Sequence, residues 1–106
     1  MPTKSRVKTT IDAPTSVLAL KRPPTHPGEV LLEEFLKPAA MTQVEAARRM
    51  GIPLNRLNEV IRGRRGVSAD TALRLAKLLG TSAEIWLGLQ SDWDLWHAAR
   101  ALRKAG

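Results

Sequence analysis

The polar side chains between residues 43 and 65 are the ones whose types and spacing suit chemistry with a ligand. Four of them recur at helical intervals and therefore share one face of a predicted helix: Asn55, Asn58, Glu59 and Arg62. An asparagine amide can pair with adenine, a glutamate can accept from the cytosine amino group, and an arginine can bridge guanine or a phosphate. This combination is typical of a helix that reads base edges.

Arginines are dense around this face. Residues 48–65 hold six Arg against one Glu, a local charge of +5, which suits DNA phosphates and predicts binding that weakens steeply with salt. Gln43, near the start of the preceding helix, can donate to a phosphate. Glu59 favours a sequence-specific site, because a carboxylate near phosphates is unfavourable unless it contacts a base. The predicted DNA-contacting residues are Gln43, Asn55, Arg56, Asn58, Glu59, Arg62, Arg64 and Arg65.

Composition favours a polyanionic partner and excludes several kinds of site. The 106 residues carry a formal charge of +7 and have a sequence pI near 10.9. The absence of cysteine excludes disulfides, thiolate zinc sites and a cysteine nucleophile. The longest apolar run, residues 17–20, is far too short to span a membrane. We expect a cytoplasmic protein with no membrane association.

Catalysis has no support in the sequence. His26 and His97 are isolated, with no partner at a spacing that suits a metal. Glu33 and Glu34 are adjacent and point in different directions on a helix, which does not suit an acid–base pair. We therefore expect neither an enzyme nor a bound metal or cofactor.

The elements that must position these residues are helices. Residues 1–25 carry a charge of +4 and four prolines and are predicted to form a flexible basic arm. Residues 26–106 are predicted to form one domain of five helices, which makes the fold all-α. Capping residues and helix-ending glycines or prolines delimit these helices: the first from Pro27 to Pro38, the second from Thr42 to near Gly51, the third from Pro53 to Gly63, the fourth over 69–79 and the last from a capping box at Thr81 to about 104.

The second and third helices have the features of a helix-turn-helix. Residues 50–52 form a tight break that contains a turn glycine, Gly51. Ala47, four residues earlier, is small enough for the next helix to cross closely. An apolar stripe of the third helix is predicted at Leu54, Leu57 and Ile61.

The last helix is unusually rich in large apolar residues. It contains all three tryptophans, and a domain of this size has a limited core in which to bury three indoles. Core packing accounts for one or two of them, and the surplus indicates a partner surface, most simply a two-fold dimer. The predicted dimer residues are Ile85, Trp86, Leu89, Trp93 and Trp96.

An ordered series of motifs resembles the HigA-type antitoxins of the Xre-like (lambda-repressor-like) helix-turn-helix superfamily. It covers about residues 25–97 and consists of these segments: 26–36 (HPGEVLLEEFL), 42–43 (TQ), 48–53 (RRMGIP), 55–59 (NRLNE), 61–66 (IRGRRG), 69–75 (ADTALRL), 84–90 (EIWLGLQ) and 94–95 (DL). The resemblance implies a type II antitoxin that holds a small basic HigB- or RelE-like ribonuclease toxin inactive. It also implies a homodimer that binds an inverted repeat in its own promoter as a repressor, with the last helix at the dimer seam.

Two other functions use parts of the same pattern. A free-standing repressor without a toxin would have the same DNA face and dimer, and a neighbouring small reading frame would distinguish the antitoxin from it. A protein-binding module that has lost DNA binding would leave DNA affinity unchanged in Arg56→Ala, whereas the DNA-binding reading predicts a loss of about 1–3 kcal/mol if Arg56 pairs bidentately.

Overall fold

The computed structural model describes residues 16–105, and every regular element in that range is helical. A 3₁₀ turn spans Val17–Ala19. The five helices that follow are α1 (Pro27–Val30, continued by a π-helical segment at Leu31–Leu36), α2 (Gln43–Met50), α3 (Leu54–Ile61), α4 (Ala69–Leu79) and α5 (Ala83–Ala105). The predicted all-α fold with five helices is confirmed. Residues 1–15 of the predicted arm lie outside the described residues.

Local side-chain chemistry sets where most of these helices begin and end. The Oγ1 atom of Thr42 accepts a hydrogen bond from the Glu45 backbone N–H at 3.1 Å, which caps α2 as predicted. Ser68 caps α4 in the same way. Gly51 and Gly80, both in the left-handed region, end α2 and α4.

The start of α5 differs from the prediction by one residue. The capping side chain is that of Ser82, whose Oγ accepts from the Ile85 backbone N–H at 3.2 Å. Thr81 has a different partner, since its Oγ1 accepts a hydrogen bond from Nε1 of Trp86 at 2.8 Å. The threonine therefore satisfies the polar atom of a buried indole instead of capping the helix.

The core lies between α1, α2, α3, α4 and the first half of α5. Its largest fully buried side chain is Trp86, and the ring of Phe35 packs against it with centroids 5.5 Å apart. Of the apolar stripe predicted for α3, Leu57 is fully buried, Ile61 is partly buried and Leu54 is exposed. Val60 contributes to the core where Leu54 does not, because Leu54 is the first residue of α3 and lies beyond the edge of the core.

Residues 16–25 are joined to the helical domain. The backbone carbonyl of Leu20 accepts a hydrogen bond from Nε1 of Trp96 at 2.9 Å, and the Val17–Ala19 turn contacts α5. The last ten residues of the predicted arm, 16–25, therefore contact the domain. Within residues 16–105, no helix has the length and apolar character needed to cross a membrane.

Candidate nucleic-acid interface

The chain passes from α2 to α3 through a turn of three residues. Gly51 has a φ of 72°, and the backbone N–H of Ile52 donates to the carbonyl of Ala47 at 3.1 Å. Ala46 and Ala47 are buried, so α3 can cross α2 at close range. This is the helix-turn-helix geometry that the sequence predicts.

A hydrogen bond across the two helices brings together two of the predicted DNA-contacting residues. Nδ2 of Asn58 on α3 donates to Oε1 of Gln43, the first residue of α2, at 3.1 Å. The bond uses the carbonyl of Gln43 and leaves its amide N–H groups as donors. Asn55 is exposed beside this pair, at the rim of an open depression of about 710 Å³.

Arg56 is paired with other residues of the chain, whereas the sequence predicts that it contacts DNA. Its Nη2 donates to Oδ2 of Asp70 at 2.8 Å and to Oγ1 of Thr71 at 2.7 Å. Asp70 also accepts from Nε of Arg74 at 2.9 Å. Hydrogen bonds from Arg56 and Arg74 hold the pKa of Asp70 below its ordinary value. Arg56 thus joins α3 to α4, and the sequence pattern did not reveal its partner fourteen residues away.

Glu59 and Arg65 form an ion pair of 2.8 Å that connects α3 to the loop after it. The backbone N–H groups of Arg64 and Arg65 both donate to the Glu59 carbonyl. Farther along the loop, the Val67 N–H donates to Oε1 of Gln90 at 2.8 Å, which ties the loop to α5. The carboxylate of Glu59 therefore has a partner other than a base.

Ion pairs reduce the number of arginines that can reach phosphates. Arg48 pairs with Glu45 at 2.7 Å, in addition to the pairs made by Arg56 and Arg65. Within residues 16–105, the arginines of this region that form no ion pair are Arg49, Arg62 and Arg64. All three are exposed, so they carry the cationic character of this surface.

Most of the predicted dimer residues face the core of their own protomer. Trp86 and Trp96 are buried, and Leu89 packs against the core. Trp93 packs edge-on against His26, with ring centroids 4.9 Å apart. Of the five, Ile85 is the one left largely exposed, at 54 %. Two buried indoles agree with the one or two that were predicted for the core, but α1 and the segment around Leu20 cover tryptophans that were also predicted to lie at the dimer interface.

The opposite face of α5 is exposed and contains none of the predicted dimer residues. Five small or apolar residues occupy it at intervals of three and four: Gly88, Ser91, Leu95, Ala98 and Leu102. The seven-residue spacing of Gly88, Leu95 and Leu102 was visible in the sequence, but the tryptophans gave a stronger apolar signal.

Among the described residues, no three His, Asp or Glu side chains are placed to hold a metal ion.

This fold and surface define a DNA-binding protein of the helix-turn-helix class. The helix-turn-helix family HTH_3 matches residues 32–86, which is slightly more than half of the chain, and the chain belongs to that family. It is a family of DNA-binding regulators and not of enzymes. The resemblance to HigA-type antitoxins is confirmed, because relatives and solved structures that carry this name match most of the chain.

Three relatives illustrate the range of names in the family. Virulence-associated protein I of Dichelobacter nodosus is 44% identical over 73 residues, 69% of this chain and 68% of that protein. Antitoxin HigA-1 of Vibrio cholerae is 42% identical over 77 residues, 72% of this chain and 71% of that protein. The HTH-type transcriptional regulator YbaQ of Escherichia coli is 35% identical over 82 residues, 77% of this chain and 73% of that protein.

Several of the similar solved structures contain DNA. The Pseudomonas aeruginosa antitoxin HigA with the higBA promoter superposes with a TM-score of 0.74 at 39% identity, covering 77% of this chain and 89% of that chain. The antitoxin GraA in complex with its operator has a TM-score of 0.67 at 46% identity, covering 74% of this chain and 82% of that chain.

Proposed function

We propose that this chain is an antitoxin that binds an inverted repeat in its own promoter as a homodimer and neutralises a small basic ribonuclease toxin. The main observation in favour of DNA binding is the hydrogen bond between Gln43 and Asn58. It joins the two helices of the helix-turn-helix, so that polar side chains from both helices form one surface. The similarity to HigA and GraA, each solved with promoter or operator DNA, supports the same conclusion.

The residues divide into those that contact DNA and those that hold the contacting residues in place. Asn55 and Asn58 read base edges, and Gln43 donates through its free amide to a phosphate. Three arginines neutralise phosphates, because no carboxylate within the described residues forms an ion pair with them: Arg49, Arg62 and Arg64. The pair Glu59–Arg65 and the group around Arg56 position α3 and the loop that follows it.

The dimer forms through the outer face of α5. Leu95 and Leu102 are exposed there, at 51 % and 74 %, and the small residues of the same face allow two helices to approach closely. A two-fold axis at this face would relate the α3 helices of the two protomers in the same way as the two halves of an inverted repeat are related.

Purification from the native locus tests the antitoxin function. The chain is tagged at its own gene, isolated at high salt to remove DNA, and its bound proteins are identified by mass spectrometry. We expect a stoichiometric small basic protein encoded by the adjacent gene. Depleting the chain should then arrest growth, and deleting the adjacent gene should relieve that arrest.

A free-standing repressor is the second candidate, and the similarity to a regulator such as YbaQ favours it. In that case the homodimer would emerge from the purification alone, and depletion would leave growth normal. DNA binding would remain, and a shift of the chain's own promoter fragment in a gel would support either function.

A further inference from the structure

Two exposed apolar side chains lie within the polar surface of the helix-turn-helix. Val44 is 62 % exposed and Leu54 is 44 % exposed. An isolated apolar residue on a surface is ordinary, but these two come from different helices and line the same depression, between the amides of Gln43, Asn55 and Asn58. Neither contributes to the buried core.

The local structure fixes where these side chains lie. Val44 is in the first turn of α2, which Thr42 caps, and Leu54 is the first residue of α3. The hydrogen bond between Asn58 and Gln43 spans the two helices beside them. The depression is therefore lined by neutral amide, hydroxyl and apolar groups, while the arginines of this region lie outside its lining.

We infer that Val44 and Leu54 contact the C5-methyl groups of thymines in the major groove. This inference rests on the proposed DNA binding and deepens it. In the major groove, thymine is the one standard base with a methyl group, and apolar side chains recognise it. Amides beside the two apolar residues suit the hydrogen-bonding edges of the same base pairs. The positive charge of this region favours DNA over a basic protein as the occupant.

Removing one methyl group at a time from the DNA tests the inference. Selection from randomised duplexes first identifies the sequence that the chain prefers. Each thymine of that sequence is then replaced by deoxyuridine, which lacks only the C5-methyl group, and the dissociation constant is measured. We expect the wild-type chain to lose about three- to five-fold in affinity at one or two thymines of each half-site.

Substitutions in the protein connect that loss to the two side chains. Leu54→Ala and Val44→Ser should each abolish the loss at one of those thymines, so that the thymine and deoxyuridine duplexes bind equally. Both residues are exposed, so the variants should fold. Leu73→Ala is the matched control, because Leu73 is an exposed leucine on α4, and it should keep the wild-type sensitivity.

Several outcomes would overturn the inference. Equal binding of thymine and deoxyuridine duplexes by the wild-type chain would do so, as would a preferred sequence without thymine. If both variants lost as much affinity as the wild-type chain when thymine is replaced by deoxyuridine, these side chains would not be the contacts. In each of these cases the chain still binds a specific DNA sequence, and the proposed function stands. A chain that selects no sequence at all would overturn both.

Discussion

His26 has two structural roles at the start of α1. Its Nδ1 accepts a hydrogen bond from the Gly28 N–H at 2.9 Å, and its ring packs edge-on against Trp93. Burial lowers the pKa of His26 from its ordinary value of 6.5, an effect that the nearby carboxylates of Asp94 and Glu29 offset only in part. The folded chain therefore favours the neutral imidazole, which is also the form that can accept the capping bond.

Stability should fall as the pH drops below about 6.5, because the unfolded chain binds a proton at His26 more readily than the folded chain does. Above that pH, the contribution of His26 to stability is fully present. Urea unfolding across pH 5 to 7.5 measures this slope, which His26→Asn should flatten because asparagine can cap but does not titrate. His97→Asn is the control and should keep the slope. A slope that persists in His26→Asn would contradict this explanation.

Arg64 and Arg56 should respond differently to removal, although both lie in the arginine-rich region. Arg64→Ala should weaken DNA binding and reduce the slope of log K against log salt by about 1, without changing the melting temperature. Arg56→Ala should lower the melting temperature, because it removes the bonds to Asp70 and Thr71, and should leave the salt slope unchanged. If Arg56→Ala instead reduced the slope at a constant melting temperature, Arg56 would be a phosphate contact.

The contrast between these arginines shows the limit of reading a site from sequence. Periodicity placed Asn55 and Asn58 together, because residues three apart on a helix are neighbours. It could not show that Arg56 is paired with Asp70, because that contact depends on how α3 packs against α4. Charge density therefore does not distinguish arginines that are ion-paired within the chain from those that are not.

The crossing of α1 over the end of α3 depends on one glycine. A Cβ atom added at Gly28 would lie 1.9 Å from the carbonyl oxygen of Val60 and 2.8 Å from Cα of Ile61. Both contacts are with backbone, so no side chain can move aside to accommodate the extra carbon. The close contact between Gly28 and the backbone at the end of α3 therefore keeps α1 against the helix that has the proposed base contacts.

Gly28→Ala should therefore destabilise the domain by about 3 kcal/mol or more, because α1 would have to move away from α3. Gly88→Ala is the matched change on α5, where an added Cβ meets nothing within 4 Å. Because Gly88 lies on the proposed dimer face, both variants are compared at a chain concentration low enough for the monomer, and there Gly88→Ala should stabilise the protomer by about 0.5–1 kcal/mol through better helix propensity. Chemical denaturation of both variants measures the difference. A Gly28→Ala variant as stable as the wild type would show that α1 is not held at this distance.

Helix boundaries were more predictable than helix faces. Thr42, Ser68, Gly51 and Gly80 act on backbone groups within a few residues, so the sequence contains the whole signal. The face of α5 that becomes buried depends on residues far away in the chain. Leu20, for example, covers Trp96 across 76 positions, and periodicity carries no information about such a contact.

One face of α5 contributes to the folding of the protomer, and the opposite face is the proposed dimer surface. The face with Trp86 and Trp96 completes the core of the protomer, so Trp96→Ala should destabilise the fold whether or not a dimer forms. The outer face is exposed in the protomer, and a substitution there tests dimerisation without disturbing the core. The tryptophans that are predicted from the sequence to lie at the dimer seam are for this reason poor probes of it.

Leu95→Glu should convert the dimer to a monomer, because two carboxylates would face each other across the proposed two-fold axis. Sedimentation should show half the wild-type mass, and affinity for the inverted repeat should fall about a hundredfold or more, since each half-site would be engaged singly. Affinity for an isolated half-site should not change. Leu73→Glu makes the same chemical change at an exposed leucine of α4 and should remain dimeric. If Leu95→Glu stayed dimeric and bound the full repeat normally, the seam would lie on another surface of the molecule.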